Sequence, residues 1–296
     1  MKGWLAVANA YSGGGEGKRD RIEKAIGALR PTVKDVVFSE YRGHSKRIAA
    51  SASGYTGIVA AGGDGTLFEV LNGIDRKRQE LAILPAGRGN SLARDLGLGG
   101  IPSAVKAFAD GNGHAIDLAE VTFTTESGEQ TRVASASTIA VGYPVIATIL
   151  ANHLKNLGSF CYPVAAALAS IRMKAAPREV VYDRDRPRRK RLTGLIINNT
   201  RHLANFLAFP NADCTDGRLD VMEMDAGLLS QNVRNLSALC GIDLCAPAPI
   251  HQVQTATLCF AKPTTIMIDG EIFKDVITFH VQILPGALRC RRMRNI

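Results

Sequence analysis

The chain has 296 residues, of which 46% are hydrophobic and 21% are charged, and its formal net charge is +9. This length suits two domains of about 100–200 residues each. No run of about 18 uncharged apolar residues occurs, so the sequence predicts no transmembrane helix. Residues 5–8 are interpreted as a first strand and not as part of a signal peptide.

The cysteines argue against a zinc site and against secretion. None of the six forms a CxxC pair; they lie at positions 161, 214, 240, 245, 259 and 290. Scattered single cysteines without an export signal are typical of reduced thiols. We therefore expect a cytoplasmic protein.

Two basic clusters carry much of the positive charge, RDRPRRKR at residues 184–191 and RCRRMR at residues 289–294. Both are expected to be solvated, the first as a hairpin loop. A basic surface favours anionic partners, and no nucleic-acid-binding motif accompanies these clusters. We predict peripheral contact with a membrane and no nucleic-acid binding, while a homodimer stays open.

The first part of the chain alternates strand and helix patterns, which predicts parallel strands with helices on both faces. Ligands of such sheets bind beyond the carboxyl ends of the strands, where three glycine-containing turns fall. The predicted strands are 4–9, 33–39, 57–61 and 81–84, and the predicted helices are 18–29, 44–53, 67–74 and 91–96.

After about residue 117 the pattern changes to strands joined by turns, which predicts a second, mainly antiparallel β domain. Two helical segments, 144–173 and 229–239, interrupt it, and the apolar stretch 141–169 is expected to be core or to line a ligand-binding groove. The predicted strands are 115–123, 132–141, 179–182, 192–198, 203–208, 219–224, 256–260, 264–268 and 276–282.

The turn GGDGT at residues 62–66 follows the apolar run 57–61. Glycine lets the backbone approach a ligand because no Cβ intervenes, and the unpaired N–H groups at the start of the next helix suit a phosphate. Asp64 adds a carboxylate there, and two neighbouring anions repel unless a divalent cation lies between them. The turn therefore indicates a metal-bound nucleotide.

GGDGT followed by EVLNG resembles the catalytic domain of the diacylglycerol kinase superfamily. Four other segments match family motifs in the family's order, so the resemblance runs from residue 9 to residue 271. They are Asn9 with Ser12, Gly13 and Gly14; LPAGRGNSLAR at 84–94; the DG step at 216–217; and DGE at 269–271.

The resemblance implies a fold of the α/β plus β class. The N-terminal domain, residues 1–120, would be an NAD-kinase-like three-layer α/β domain to which residues 283–296 return. The C-terminal domain, residues 121–282, would be a mainly antiparallel β-sandwich that binds the lipid. The active site would lie in the cleft between them.

The resemblance further implies a kinase that uses ATP and Mg²⁺ to phosphorylate a hydroxyl of diacylglycerol or a related lipid. Glu271 would accept the hydroxyl proton, and Asp269 would belong to a metal–water network. A structural Mg²⁺ would be held by the Asp216 side chain and by carbonyls of Asp213 and Arg218. The expected ATP contacts are Asn9, Ser12, Gly13, Ser39, Gly62, Gly63, Asp64, Gly65, Thr66, Gly87, Arg88 and Asn90.

Four positions near these motifs leave alternatives open. The family has Thr and Asp where this chain has Arg88 and Ser91; an arginine there could bind phosphate through charge-assisted hydrogen bonds or point to solvent. Glu69 and Asn72 are expected on a solvated helix face.

Two alternatives to a lipid kinase stay open. One is an NAD kinase, which shares GGDGT, and the other is a catalytically diverged regulatory protein that binds nucleotide and membrane.

Overall fold

The computed structural model describes residues 2–10, 17–87, 89–154, 161–172, 174–203, 206–207, 209–224 and 250–293. Some predicted features lie outside these ranges: the helix 229–239 and the motif residues Ser12, Gly13, Gly14 and Arg88.

The first part of the chain forms a parallel sheet with helices between its strands, as predicted. Its order is β4-β3-β1-β2, with every neighbouring pair parallel. The elements are β1 (Lys2–Ala8), α1 (Lys18–Gly27), β2 (Val33–Phe38), α2 (His44–Ala50), β3 (Tyr55–Gly62), α3 (Asp64–Leu71), β4 (Glu80–Pro85), α4 (Ser91–Asp95) and α5 (Ile101–Ala109).

Two of these helices differ from the prediction. Helix α3 begins at Asp64, three residues before the predicted start, because Gly63 serves as its N-cap and accepts the Leu67 amide. Helix α5 was not predicted; Pro102 stands in its first turn, where a missing N–H costs nothing.

The second part is mainly antiparallel. Its elements are β5 (Gly113–Thr125), β6 (Gln130–Ser135), β7 (Thr138–Gly142), α6 (Tyr143–His153), α7 (Cys161–Arg172), β8 (Ala176–Tyr182), β9 (Arg188–Leu192), β10 (Gly194–Asn198), β11 (His202–Leu203), β12 (Phe206–Leu207), β13 (Leu219–Met224), β14 (Ile250–Val253), β15 (Thr255–Ile268) and β16 (Glu271–Arg291).

Several boundaries in this part correct the sequence prediction. The predicted helix 144–173 is two helices, and the predicted strands 256–260 and 264–268 are one strand, β15. The segment 184–191 is not wholly a loop, because β9 begins at Arg188 and pairs with β8. Strand β14 was not predicted.

One sheet continues through both parts of the molecule, in the order β14-β13-β10-β7-β15-β16-β4-β3-β1-β2. Strand β16 runs antiparallel to β15 and β5 for most of its length, and at Arg289 and Cys290 it pairs in parallel with β4. The predicted mixed α/β fold is confirmed, and β16 is the strand that joins the two kinds of sheet.

The strands β7 and β10 and the end of β15, Ile266–Ile268, are almost entirely buried on both faces because each face meets a different core. Ile139, Ile197 and Ile268 belong to a core enclosed by the antiparallel strands. Their neighbours in sequence, such as Ala140 and Ile196, pack on the other face with residues of α6 and α7. Such strands lack the polar alternation of a half-exposed sheet.

Candidate active site

The GGDGT turn forms the uncapped start of helix α3. Gly62 ends β3 and Gly63 is extended, and among the described residues no side chain caps the helix. The Thr66 hydroxyl is buried and has no hydrogen-bond partner in the part of the chain that the structure describes. Orphaned amide and hydroxyl donors beside residues without side chains fit the phosphates of a nucleotide.

The Asp64 carboxylate joins this turn to the LPAGRGNSLAR motif at residues 84–94. Its oxygens accept the amide hydrogens of Asn90, at 2.9 Å, and Ser91, at 3.1 Å, where α4 begins. Burial raises the pKa of Asp64, and these hydrogen bonds act in the opposite direction. Asp64 therefore holds the two turns together, while its contact with a metal-bound nucleotide stays a prediction.

The turn that contains Gly87 packs directly on the GGDGT turn. A β-carbon placed at Gly87 would lie 2.4 Å from Cα of Gly63, so neither side can carry a side chain without movement. Asn90 closes the turn: its Oδ1 accepts the Gly87 amide at 3.2 Å, and its Nδ2 donates to the Gly87 carbonyl at 2.9 Å. It has a left-handed φ of 53°, which asparagine tolerates.

Asn9 and Ser39 lie at the same edge of the sheet as the glycine turns. The Asn9 amide donates to the Ala61 carbonyl, and the Ser39 amide donates to the Ala8 carbonyl. Ser39 is buried at the end of β2. The carboxyl ends of β1, β2 and β3 therefore meet where the sequence predicted a common cleft.

Glu69 and Asn72 are engaged by the protein, so the expected solvated helix face is wrong for both. Glu69 accepts the amides of Gly43, at 2.6 Å, and Ser45, at 3.0 Å, and so caps α2. Asn72 exchanges two hydrogen bonds with the backbone of Ala134 in β6. Helix α3 is thus fixed to α2 on one side and to β6 on the other.

The Asp269 carboxylate organises the connection between β6 and β7. It accepts hydrogen bonds from the Ser135 hydroxyl and from the amides of Ala136, Ser137 and Thr138, at 2.8–3.0 Å. Burial raises its pKa, and these four donors oppose that rise. This bend divides the predicted strand 132–141 in two, and Asp269 acts here as a positioning group.

Glu271 lies beside the start of α3. A β-carbon placed at Gly65 would be 3.3 Å from its Oε1, which shows how closely the carboxylate approaches the GGDGT turn. Arg42, in the loop before α2, forms an ion pair with its Oε2. Because Glu69 holds that loop, the structure links Glu69, Arg42 and Glu271.

The two carboxylates of the loop 213–218 accept hydrogen bonds from the loop itself and from β14. Asp213 accepts the amide and hydroxyl of Thr215, and Asp216 accepts the Arg218 amide and the Gln252 side chain. Burial raises the pKa of Asp216. No group of three or more histidine, cysteine or acidic side chains placed to hold a metal occurs within the described ranges. Metal binding by Asp213, Asp216 and Arg218 stays a prediction.

Asp117 was missed by the sequence analysis, although it anchors this loop. It is 2% exposed, and it accepts the amides of Gly217, at 2.6 Å, and Gly286, at 2.7 Å. It thereby ties β5 to the 213–218 loop and to β16. An acidic residue flanked on both sides by apolar residues, in the segment 115–119, is the signal that could have found it, because a buried carboxylate needs partners.

The basic clusters are partly neutralised. Arg289 and Arg291 both pair with Glu80 of β4. The Arg289 side chain is 61% exposed, in line with the predicted solvated tail, whereas that prediction is wrong for Arg291, which is largely buried. In β9, Arg189 pairs with Glu179 and Lys190 with Glu223. Over the residues that the structure covers, no helix has the length and apolarity needed to cross a membrane.

Comparison with known proteins places these features in one family. The profile of the diacylglycerol kinase catalytic domain matches residues 3–121. A Mycobacterium tuberculosis protein named "Diacylglycerol kinase" is 30% identical over 226 residues, covering 73% of this chain and 71% of that protein.

Two further similarities agree. A Pseudomonas aeruginosa protein named "Probable lipid kinase YegS-like" is 39% identical over 121 residues, which is 40% of this chain and 39% of that protein's length. A solved structure of a diacylglycerol kinase from Bacillus anthracis str. Sterne shares the fold, with a TM-score of 0.76 at 20% identity, over 99% of this chain and 98% of that one. By its motifs, fold and relatives, the chain belongs to the diacylglycerol kinase-type family of lipid kinases.

Proposed function

We propose that this protein is an ATP-dependent lipid kinase that transfers the γ-phosphate to a hydroxyl of diacylglycerol, a sphingoid base or a related lipid. The observation that supports this most directly is the position of Glu271. Its carboxylate stands beside the uncapped start of α3, the part of the molecule best suited to phosphate. A base and a phosphate cradle are therefore adjacent.

Phosphoryl transfer requires the protein mainly to position the reactants and to stabilise their charges. ATP, when bound, supplies the phosphoryl group. Glu271 accepts the proton that the acceptor hydroxyl loses as its oxygen bonds to phosphorus and the bond to ADP breaks. Arg42 holds the Glu271 carboxylate in place before transfer, and the orphaned donors of α3 bind phosphate oxygens.

The residues described do not by themselves form a Mg²⁺ site. The Asp64 oxygens accept two amides, and the Asp213 and Asp216 carboxylates accept hydrogen bonds from their own loop and, for Asp216, from Gln252 of β14. We retain Mg²⁺ as an expectation of the family resemblance and derive no step from it. Titrating the activity with Mg²⁺ and a chelator tests that expectation separately.

A membrane surface is the place where such a kinase would meet its lipid. Helix α7 leaves Val164, Leu168 and Ile171 exposed at 38%, 40% and 74%, and this spacing puts them on one helix face. The exposed Arg191 of β9 donates to the carbonyl of Ala175, three residues after α7 ends, so positive charge lies close to the segment that follows this helix. We propose that this face rests on an anionic bilayer.

The deciding experiment is transfer of labelled γ-phosphate from ATP to a panel of lipid hydroxyls in mixed vesicles, with NAD as a competing acceptor. Labelled lipid is the expected result and would identify the acceptor. Labelled NADP would assign the NAD kinase alternative. Bound ATP with no labelled product would favour the diverged regulatory protein, and attention would turn to Arg88 and Ser91.

A further inference from the structure

Arg42 is an exposed arginine that stands beside both the proposed base and the proposed phosphate site. Its side chain is 78% exposed, and its Nη2 pairs with Oε2 of Glu271. The other oxygen of that carboxylate, Oε1, is 3.3 Å from the point where a β-carbon at Gly65 would lie. Glu271 therefore contacts the guanidinium through one oxygen and approaches the start of α3, which suits phosphate, through the other.

The loop that carries Arg42 is fixed at both ends. Before the loop, the Ser39 amide donates to the carbonyl at the end of β1, at 2.8 Å. After it, the amides of Gly43 and Ser45 donate to the Glu69 carboxylate of α3. Helix α3 thus positions the backbone of Arg42 relative to its own first turn, while the exposed side chain can change rotamer without moving that backbone.

Most of the hydrogen-bonding capacity of Arg42 is unused. A guanidinium has five N–H donors arranged in a fork, and Glu271 is the one partner of Arg42 among the residues that the structure describes. A phosphate bound at the start of α3 would bring a second anion next to the Glu271 carboxylate, and neighbouring anions repel each other. A cation in contact with both anions removes that repulsion, and Arg42 already contacts one of them.

We propose that Arg42 is a catalytic residue that binds the γ-phosphate of ATP while it stays paired with Glu271. This inference deepens the kinase function proposed above and rests on it. One edge of the guanidinium holds the carboxylate, and the remaining donors bind phosphate oxygens through charge-assisted hydrogen bonds. Arg42 thereby offsets the negative charge of the phosphoryl group during its transfer, in addition to holding the Glu271 side chain.

Nucleotide binding tests this contact without depending on turnover. ATP carries the γ-phosphate and ADP lacks it, so calorimetry with both nucleotides isolates the contact. Arg42→Met should weaken ATP binding by at least about tenfold and ADP binding by less than about threefold, because charge-assisted hydrogen bonds to the γ-phosphate are lost. The same difference should appear when both proteins also carry Glu271→Gln. Arg42→Lys, which keeps the charge and loses the fork, should recover part of the ATP affinity.

Arg47→Met is the matched control. Arg47 is also an exposed arginine close to this loop, and its Nη1 donates to the Tyr41 hydroxyl at 2.9 Å. The control variant removes one positive charge from the same neighbourhood and leaves the pair of Arg42 with Glu271 in place. It should bind ATP and ADP as the unmodified protein does.

Two results would overturn the proposal. If Arg42→Met loses lipid phosphorylation and keeps its ATP affinity, Arg42 only orients Glu271. If ATP and ADP binding weaken equally, the arginine does not contact the γ-phosphate. Failure of the kinase function is a separate outcome: an unmodified protein that binds ATP and labels no acceptor would refute the kinase, and the comparison of ATP with ADP would still decide whether Arg42 binds the γ-phosphate.

Discussion

At the residue scale, the site is a set of carboxylates whose partners differ in kind. Asp64 and Asp269 accept backbone amides, so they fix the positions of turns. Glu271 instead pairs with an exposed arginine and is itself about a quarter exposed. A carboxylate with an exposed partner and access to solvent can exchange a proton with a substrate, whereas the carboxylates of Asp64 and Asp269 are held by backbone donors.

Replacing this carboxylate should therefore stop the chemistry and spare binding. We expect Glu271→Gln to lower lipid phosphorylation by at least about 100-fold, the scale of a general base, with ATP affinity nearly unchanged. Steady-state transfer rates and ATP calorimetry measure the two effects, and the exposed Glu129→Gln is the control. A variant that keeps its turnover would remove Glu271 from the role of base.

A second residue-scale prediction concerns pH and His251. Partial burial against the Tyr182 ring, 4.9 Å away, lowers the pKa of His251 below its ordinary 6.5. The unfolded chain then binds more protons than the folded one near this pH, so the free energy of unfolding falls as the pH drops through 6.5 and below.

His251→Gln should make the stability of the protein less dependent on pH over that window, by a small amount because solvent screens the group. Urea unfolding at a series of pH values measures this, and the exposed His153→Gln provides the comparison. Identical pH profiles for the unmodified protein and His251→Gln would contradict the prediction.

At the scale of elements, the helices of the first part are held by side chains that belong to other elements. Asp64 of α3 bonds to the start of α4, Glu69 of α3 caps α2, and Asn72 bonds to β6. The glycine turns can then touch without side chains between them. The predicted nucleotide site is thus a contact between turns, and its shape depends on the absence of two β-carbons.

Gly87→Ala tests this contact. The new β-carbon would lie 2.4 Å from Cα of Gly63, and backbone must move to relieve it. We expect a loss of stability of about 1–3 kcal/mol and ATP binding weakened by about tenfold or more, since about 1.4 kcal/mol corresponds to a factor of ten.

Gly99→Ala is the matched control, because a β-carbon there meets nothing within 4 Å. Thermal unfolding and calorimetry with ATP compare the two variants. Equal effects at Gly87 and Gly99 would show that the turn has room for a side chain and would remove the argument for a tight cradle.

At the scale of the whole molecule, Asp117 and β16 join the two parts. Asp117 links β5, the 213–218 loop and β16 through the amides of Gly217 and Gly286. Farther along β16, Arg289 and Arg291 pair with Glu80 of β4. The predicted metal loop is therefore attached to the strand that also begins with Glu271.

Asp117→Ala should destabilise the protein by about 2–4 kcal/mol, because each buried amide left without an acceptor costs about 1–3 kcal/mol. Equilibrium unfolding in urea measures the change, and the exposed Asp110→Ala serves as the control. A loss below about 0.5 kcal/mol would mean that water replaces the carboxylate, since surface substitutions give changes of that size.

The sequence by itself determined the parallel half of the fold and the family. Alternating apolar runs and helical spacing gave β1 to β4 and α1 to α4 to within a few residues, because these patterns reflect which side of a local element is buried. The order of the motifs from Asn9 to Glu271 identified the family, because glycine-rich turns and acidic residues next to glycine can be recognised in short segments of sequence. Glu271, as a member of DGE, was recognised this way.

Only the tertiary structure decided which partners these residues have. The amides that hold Asp269 lie more than 130 positions earlier in the chain, and Asp117 bonds to residues 100 and 169 positions later. The division of the predicted strand 132–141, the capping role of Glu69 and the pairing of the basic tail with Glu80 follow from such contacts. A local sequence pattern shows whether a side chain is polar or apolar. Which group pairs with a buried charge depends on the distant segments that fold against that charge.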